Sequence, residues 1–295
     1  MLWNKIINSK PPVIASGRGV FGGGGAVNIM DYITIATTGN AASFGNLTVG
    51  RSELAGVSST TRGVFGGGSG PSAVMDYITF ATTGNATSFG NLTVARYSLA
   101  GVSSTTRGVF AAGRISFFAT TTVMDYITIA TTGNATTFGN LTVARSALAG
   151  VSSSTRGVFG GNAGASAVMD YITIATTGNA TTFGNLTVAR YSLAGVSSTT
   201  RGVFGGGADA NAIATTVMDY ITIATTGNAT TFGNLTVGRQ NLAGVSDGTR
   251  GVFGGGTTGS VSTVMDYITI ATTGNATTFG NLTVARQGLA GVSGQ

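Results

Sequence analysis

The sequence predicts an all-β fold, a six-bladed β-propeller of four-stranded blades, and three observations carry that prediction. First, the phrase Arg-Gly-Val-Phe recurs at Arg18, Arg62, Arg107, Arg156, Arg201 and Arg250, with spacings of 44, 45, 49, 45 and 49 residues. Second, two further phrases keep step with it. Met-Asp-Tyr-Ile-Thr starts at Met30, Met75, Met124, Met169, Met218 and Met265, and Phe-Gly-Asn-Leu-Thr-Val at Phe44, Phe89, Phe138, Phe183, Phe232 and Phe279. A fixed period of this length marks one supersecondary unit repeated along the chain, and it overrides a reading by separate domains. Third, the strand count closes only if the end of the chain is added to its start. The Arg18 copy has no Leu-Ala-Gly-Val segment before it, whereas Leu289-Ala290-Gly291-Val292-Ser293 follows the last repeat. An open sheet edge is a liability, so this last segment is expected to complete the N-terminal blade. The expected division is residues 1–16 as a leader and residues 17–295 as the propeller.

In chain order, Met1–Ile7 is too short and too polar for a signal-peptide core, and no run approaches the ~18 residues of a membrane span. Pro11-Pro12 stiffens the approach to the repeats. Leu2, Trp3, Ile6 and Ile7 are apolar residues on a polar leader, placed either to pack on the domain or to anchor it to a partner. Each repeat then reads as four short strands. In one copy these are Leu99–Ser103, Val109–Ala112, Met124–Ala130 and Leu141–Ala144. The third is rich in β-branched and aromatic residues. Ser103-Ser104-Thr105-Thr106 and Thr131-Thr132-Gly133-Asn134 supply the turns. Nothing sustains the 3.6-residue apolar period of a helix. The small, Gly-rich second strand fits blades stacked face to face, where a neighbouring blade approaches the backbone closely. A β-solenoid would require shorter coils and a capped end.

Composition narrows the function. The chain has 295 residues, no Cys, no His, 49 Gly and only 8% charged residues. A length of this order buries roughly 75% of the unfolded surface, so disulfides are not needed. The net charge of +6 comes entirely from twelve Arg and six Asp of the repeat, because Lys5, Lys10 and Arg114 balance Glu53, Asp209 and Asp247. Charge set in rings is neither a basic tail nor a stripe, and no nucleic-acid partner is expected. The repeated Arg are expected to donate to carbonyls at blade edges and to pair with the Asp. Without His or Cys there is no Ser-His-Asp or Cys-His device and no ordinary zinc or copper site. A residue repeated identically in every blade is architecture rather than a catalyst. No enzyme activity, cofactor or metal is therefore expected. The glycine runs are followed by no Lys-Ser/Thr and open no helix, so they are not phosphate loops. The eleven Asn-X-Ser/Thr sequences occur once or twice per repeat and read as turn and strand residues.

The pattern resembles the kelch repeat, with its period of about 50 residues. The matching features are the strand and paired glycines Val64-Phe65-Gly66-Gly67, the variable loop Ser69–Val74, the strand Met75–Ala81, the aromatic Phe89 and the late Arg96. The family's usual Trp is Phe at all six positions, and its Tyr shortly before is missing from Ala81–Thr87. Copper oxidases built on kelch-like propellers require His and Cys, which this chain lacks. The near-identical, Thr- and Gly-rich blades look like kelch-like propellers of virion proteins of tailed phages, especially marine ones. That resemblance implies a structural protein located in the phage particle, in the tail or a surface appendage. Its leader would contact other virion proteins; no membrane partner is expected, since no apolar run is long enough to span one.

Differences between the repeats point to where binding occurs. The loop between second and third strands varies most: Gly24–Ile29, Gly68–Val74, Gly113–Val123, Asn162–Val168, Gly207–Val217 and Gly256–Val264. The dipeptide after the late Arg varies next, from Ser52-Glu53 and Tyr97-Ser98 to Tyr191-Ser192 and Gln287-Gly288. Strands alternate in direction, so both sets open on one face, and both chain ends lie on the opposite, uniform face. The candidate binding residues are Arg114, Ile115, Phe117 and Phe118 on one loop, with Tyr97 and Tyr191. Aromatics beside Arg on an exposed loop are characteristic of binding hot spots; the alternative is that the two Phe fold over the channel mouth. The expected partner of this face is a host-surface glycan or receptor, or another protein. A free carbohydrate-binding lectin is the alternative function.

Overall fold

In the computed structural model, residues 17–294 are described. They form six four-stranded antiparallel sheets. The third blade is typical: Ala100–Ser103 lies innermost, followed outward by Arg107–Ala111, Thr121–Thr128 and Thr136–Arg145. In the first blade, Ala290–Ser293 pairs with Arg18–Gly22, matching Val292 to Val20, so the last strand completes the first sheet as expected. The fourth strand differs from the sequence reading. It begins at Thr136, five residues before Leu141, and Phe138 lies within it. Thr-Thr-Phe-Gly-Asn lacks an aliphatic run, but its β-branched Thr suit an exposed outer strand.

The core is divided into six parts, one between each pair of neighbouring blades. Between the second and third blades, Val57, Val64, Met75, Phe89 and Leu92 meet Phe110, Ile127 and Ile129. Every Arg-Gly-Val-Phe strand is covered on both faces, with Val109 and Phe110 wholly buried. The innermost strands approach most closely. A Cβ on Gly101 would collide with the carbonyl oxygen of Gly56 in the preceding blade, so only hydrogen fits there.

Polar groups tie each blade to the next. Arg96, buried at the end of the second blade, pairs through Nη2 with the buried Asp125 of the third. Its Nη1 donates to the carbonyls of Ala112, at 3.1 Å, and Val123, at 2.5 Å. Thr93 donates to the other oxygen of Asp125. The same arrangement joins every blade pair, and Arg286 to Asp31, at 2.6 Å, joins the sixth blade to the first. Burial pulls the guanidinium pKa of Arg96 down from its ordinary value, and Asp125 works against that pull. The Arg of each Arg-Gly-Val-Phe has a separate task. Arg107 lies 4.4 Å above the Tyr126 ring, which meets Phe138 edge-on at 6.2 Å. Its Nη1 donates to the Ile174 and Ala175 carbonyls of the next blade, at 3.1 and 2.7 Å. At the rim, Asn134 Oδ1 accepts from the Asn91 backbone N–H of the preceding blade at 3.0 Å. The Asn of Asn-Ala-Thr is thus a turn residue that bonds two blades.

Breaking one buried pair leaves an uncompensated guanidinium in the blade boundary. Asp125→Ala is expected to lose about 3–5 kcal/mol of stability, read as a lower urea midpoint in equilibrium unfolding.

Candidate functional site

The central channel has two unlike mouths. On the uniform face the last residues of the inner strands form a closed circuit. Ser58 N–H donates to Ser103 Oγ, Ser103 to Ser152, Ser152 to Ser197, Ser197 to Ser246, Ser246 to Ser293, and Ser293 back to Ser58, at 3.2–3.5 Å. The cavity there measures about 230 Å³ and, among the described residues, is lined by Ser and Thr alone. Gly17 bonds to Gly294 beside this circuit, so the described chain starts and finishes on this face.

On the variable face a second circuit runs around the other mouth, built from backbone only. Ser98 N–H donates to Glu53 C=O, Ala147 to Ser98, Ser192 to Ala147, Asn241 to Ser192, Gly288 to Asn241 and Glu53 to Gly288, at 2.6–2.8 Å. All six residues are left-handed, with φ from 53° at Ser98 to 67° at Gly288, and five of them are not glycine. That conformation costs an L-residue roughly 1–2 kcal/mol. The buried leucines beside them, such as Leu99 and Leu193, form the floor of a cavity of about 440 Å³.

Four of the six sequence-derived candidates line this one cavity: Tyr97, Arg114, Phe117 and Tyr191. Tyr97 and Arg114 exchange backbone hydrogen bonds of 3.1 and 2.8 Å, which brings the Gly113–Val123 loop down against the mouth. The half-buried Arg114 guanidinium is held in place by the loop. Its Nε donates to Ser146 Oγ at 3.2 Å and its Nη1 to the Phe117 carbonyl at 2.9 Å. The Tyr97 hydroxyl donates to the Ser116 carbonyl at 3.3 Å. Phe117 reaches the cavity while 72% exposed, and Phe118 stands 94% exposed with its ring edge-on to Phe117 at 4.8 Å. The two rings thus sit beside the mouth without sealing it. Ile115 and Phe118 do not line the cavity. Leu2, Trp3, Ile6 and Ile7 lie outside the described residues.

Sequence reasoning did not assign Glu53, Ser192 and Asn241 to the site, yet they line the same cavity. The available signal was their place in the variable dipeptide after each late Arg. Glu53 accepts a hydrogen bond from the Ser98 hydroxyl. Among the described residues no three His, Cys, Asp or Glu cluster as metal ligands, and no helix is long and apolar enough to cross a membrane.

No protein-family model matches the chain, and no curated protein matches it at a significant level. What the structure shows is the architecture alone, a six-bladed propeller of four-stranded antiparallel blades.

The left-handed backbone at the mouth is testable. Ala147→Gly relieves a positive φ of 55° without removing a side-chain hydrogen bond, and is expected to add about 1 kcal/mol of stability, seen as a raised melting temperature.

Proposed function

We propose that the protein is a non-enzymatic structural and binding component of a tailed-phage particle. Residues 1–16 mount it on other virion proteins, and the variable face points outward to a host-surface glycan, a receptor or another protein. The observation that supports binding is the concentration of blade-to-blade differences around one cavity. Tyr97, the pair Arg114 and Phe117, and Tyr191 come from three repeats and converge at the mouth opposite the face where residue 17 begins. A ring of identical blades has no need of such differences, nor of five non-glycine residues held at positive φ. The placement in a particle rests on the resemblance of the repeats to virion propellers.

The second reading, a free carbohydrate-binding lectin, is favoured by Tyr97 and Tyr191 lining the same cavity as Phe117. Density-gradient fractionation of the native source separates the two. Sedimentation with intact particles is expected for the virion component, and a soluble, free protein would replace it with the lectin. For the binding face, the double substitution Phe117→Ala, Phe118→Ala is expected to weaken attachment to the host surface or partner at least tenfold without lowering the melting temperature. Unchanged attachment with a lower melting temperature would make the two rings structural.

A further inference from the structure

We infer that the variable-face mouth receives the terminal residue of an acidic saccharide, with its carboxylate on Arg114 and its ring against the aromatic side of the cavity. This rests on the reading above that the mouth is the binding face.

Size and shape come first. A cavity of about 440 Å³ is in the range of small-ligand sites. Below it, a further cavity of about 90 Å³ between the inner strands is lined, among the described residues, by Leu, Ala and Gly alone. The polar groups that can recognise a saccharide are thus confined to the mouth, which suits a chain end or a branch.

The walls are divided by chemistry. Tyr97, Phe117 and Tyr191 come from neighbouring repeats and supply apolar ring faces with two hydroxyls. A pyranose offers a matching apolar C–H face, with its hydroxyls directed outward at the edges. Glu53, Ser192 and Asn241 line the same cavity and supply acceptors and donors for such hydroxyls. A purely apolar ligand would leave these groups unpaired, which disfavours it.

Charge then selects among saccharides. Among the described residues Arg114 is the only cation lining the cavity, and it has no carboxylate within ion-pair distance. Every other arginine that lacks an ion pair belongs to an Arg-Gly-Val-Phe strand and lies over a tyrosine ring. Two hydrogen bonds fix the Arg114 plane through Nε and Nη1, while Nη2 has no partner among the described residues. A guanidinium already immobilised, half-buried and missing its anion is prepared for a carboxylate, because the ordering cost falls on the loop rather than on binding. One cation beside Glu53 does not suit a polyphosphate, which calls for several basic residues. A single carboxylate on a terminal sugar matches the count.

The test is titration calorimetry of the full chain with paired acidic and neutral probes: sialyllactose against lactose, and digalacturonate against galactobiose. At least one acidic probe is expected to bind ten times or more tighter than its neutral partner. Arg114→Gln should erase that preference while leaving weak neutral binding. Arg114→Lys keeps the charge but not the planar fork, and should retain only a small part of the preference. Melting temperatures within a degree of wild type establish that neither variant unfolds the loop. Equal binding of acidic and neutral probes, tighter binding of a Glu-rich peptide, or no binding by either acidic probe overturns the inference. If host attachment still falls in the Phe117→Ala, Phe118→Ala protein under the last outcome, the binding face survives and only the ligand class is lost. If attachment is also unchanged, both fall.

Discussion

Every blade boundary in this protein is organised around one buried guanidinium. Arg96 illustrates it: the side chain leaves the outer strand of one blade, crosses the boundary, and meets a carboxylate and two carbonyls of the next. Such a group tolerates very little displacement, because its attraction must offset the loss of hydration of two charges. The Nε of each of these six arginines has no partner among the described residues, so the arrangement is not optimised as a source of net stability. Its effect is on register. Apolar contacts such as Phe110 against Val64 would permit neighbouring sheets to slide, whereas Asp125, held at once by Arg96 and Thr93, fixes one position.

Closure follows from repeating that boundary six times. Arg286 finds Asp31, Asn281 finds Asn40, and Ser293 finds Ser58 by the same contacts used inside the chain. The completing strand Ala290–Ser293 is therefore held on two sides, in its own sheet by Arg18–Gly22 and across the boundaries by its neighbours. Inner glycines let six strands converge on the axis, and the length differences among repeats fall into loops on one face. Blade geometry and loop content are thereby uncoupled, and a loop as unusual as Gly113–Val123 can be carried without altering the angle between sheets.

The fold was legible because its instructions are written six times. The missing strand before Arg18 and the surplus one at Leu289–Ser293 revealed the closure directly. That repeated Arg pair with the repeated Asp was readable, but not which set does so: the six Arg of Arg-Gly-Val-Phe and the six late Arg balance the six Asp equally, and only the folded blades select the late ones. The start of the fourth strand was not readable, because Thr136–Phe138 has the polarity of a turn and earns its place only as the exposed outer strand. At the mouth, Tyr97, Arg114, Phe117 and Tyr191 stood out as chemistry absent from their counterparts. Glu53, Ser192 and Asn241 did not, because what brings their side chains to the cavity is a left-handed backbone and a position around the axis. Both exist only after the ring has closed.

The backbone circuit at the variable mouth bears on the electrostatics of that site. All six N–H to O=C bonds run in the same sense around the axis. Dipoles arranged head to tail in a circle cancel in the plane of the ring, unlike those stacked along a helix, so the circuit adds no net dipole across the mouth. The charge of the mouth is set by its side chains. A single substitution at position 53 or 114 therefore sets the sign of the potential met by an approaching molecule, and near-identical blades can be retuned from cation-seeking to anion-seeking without disturbing the ring beneath.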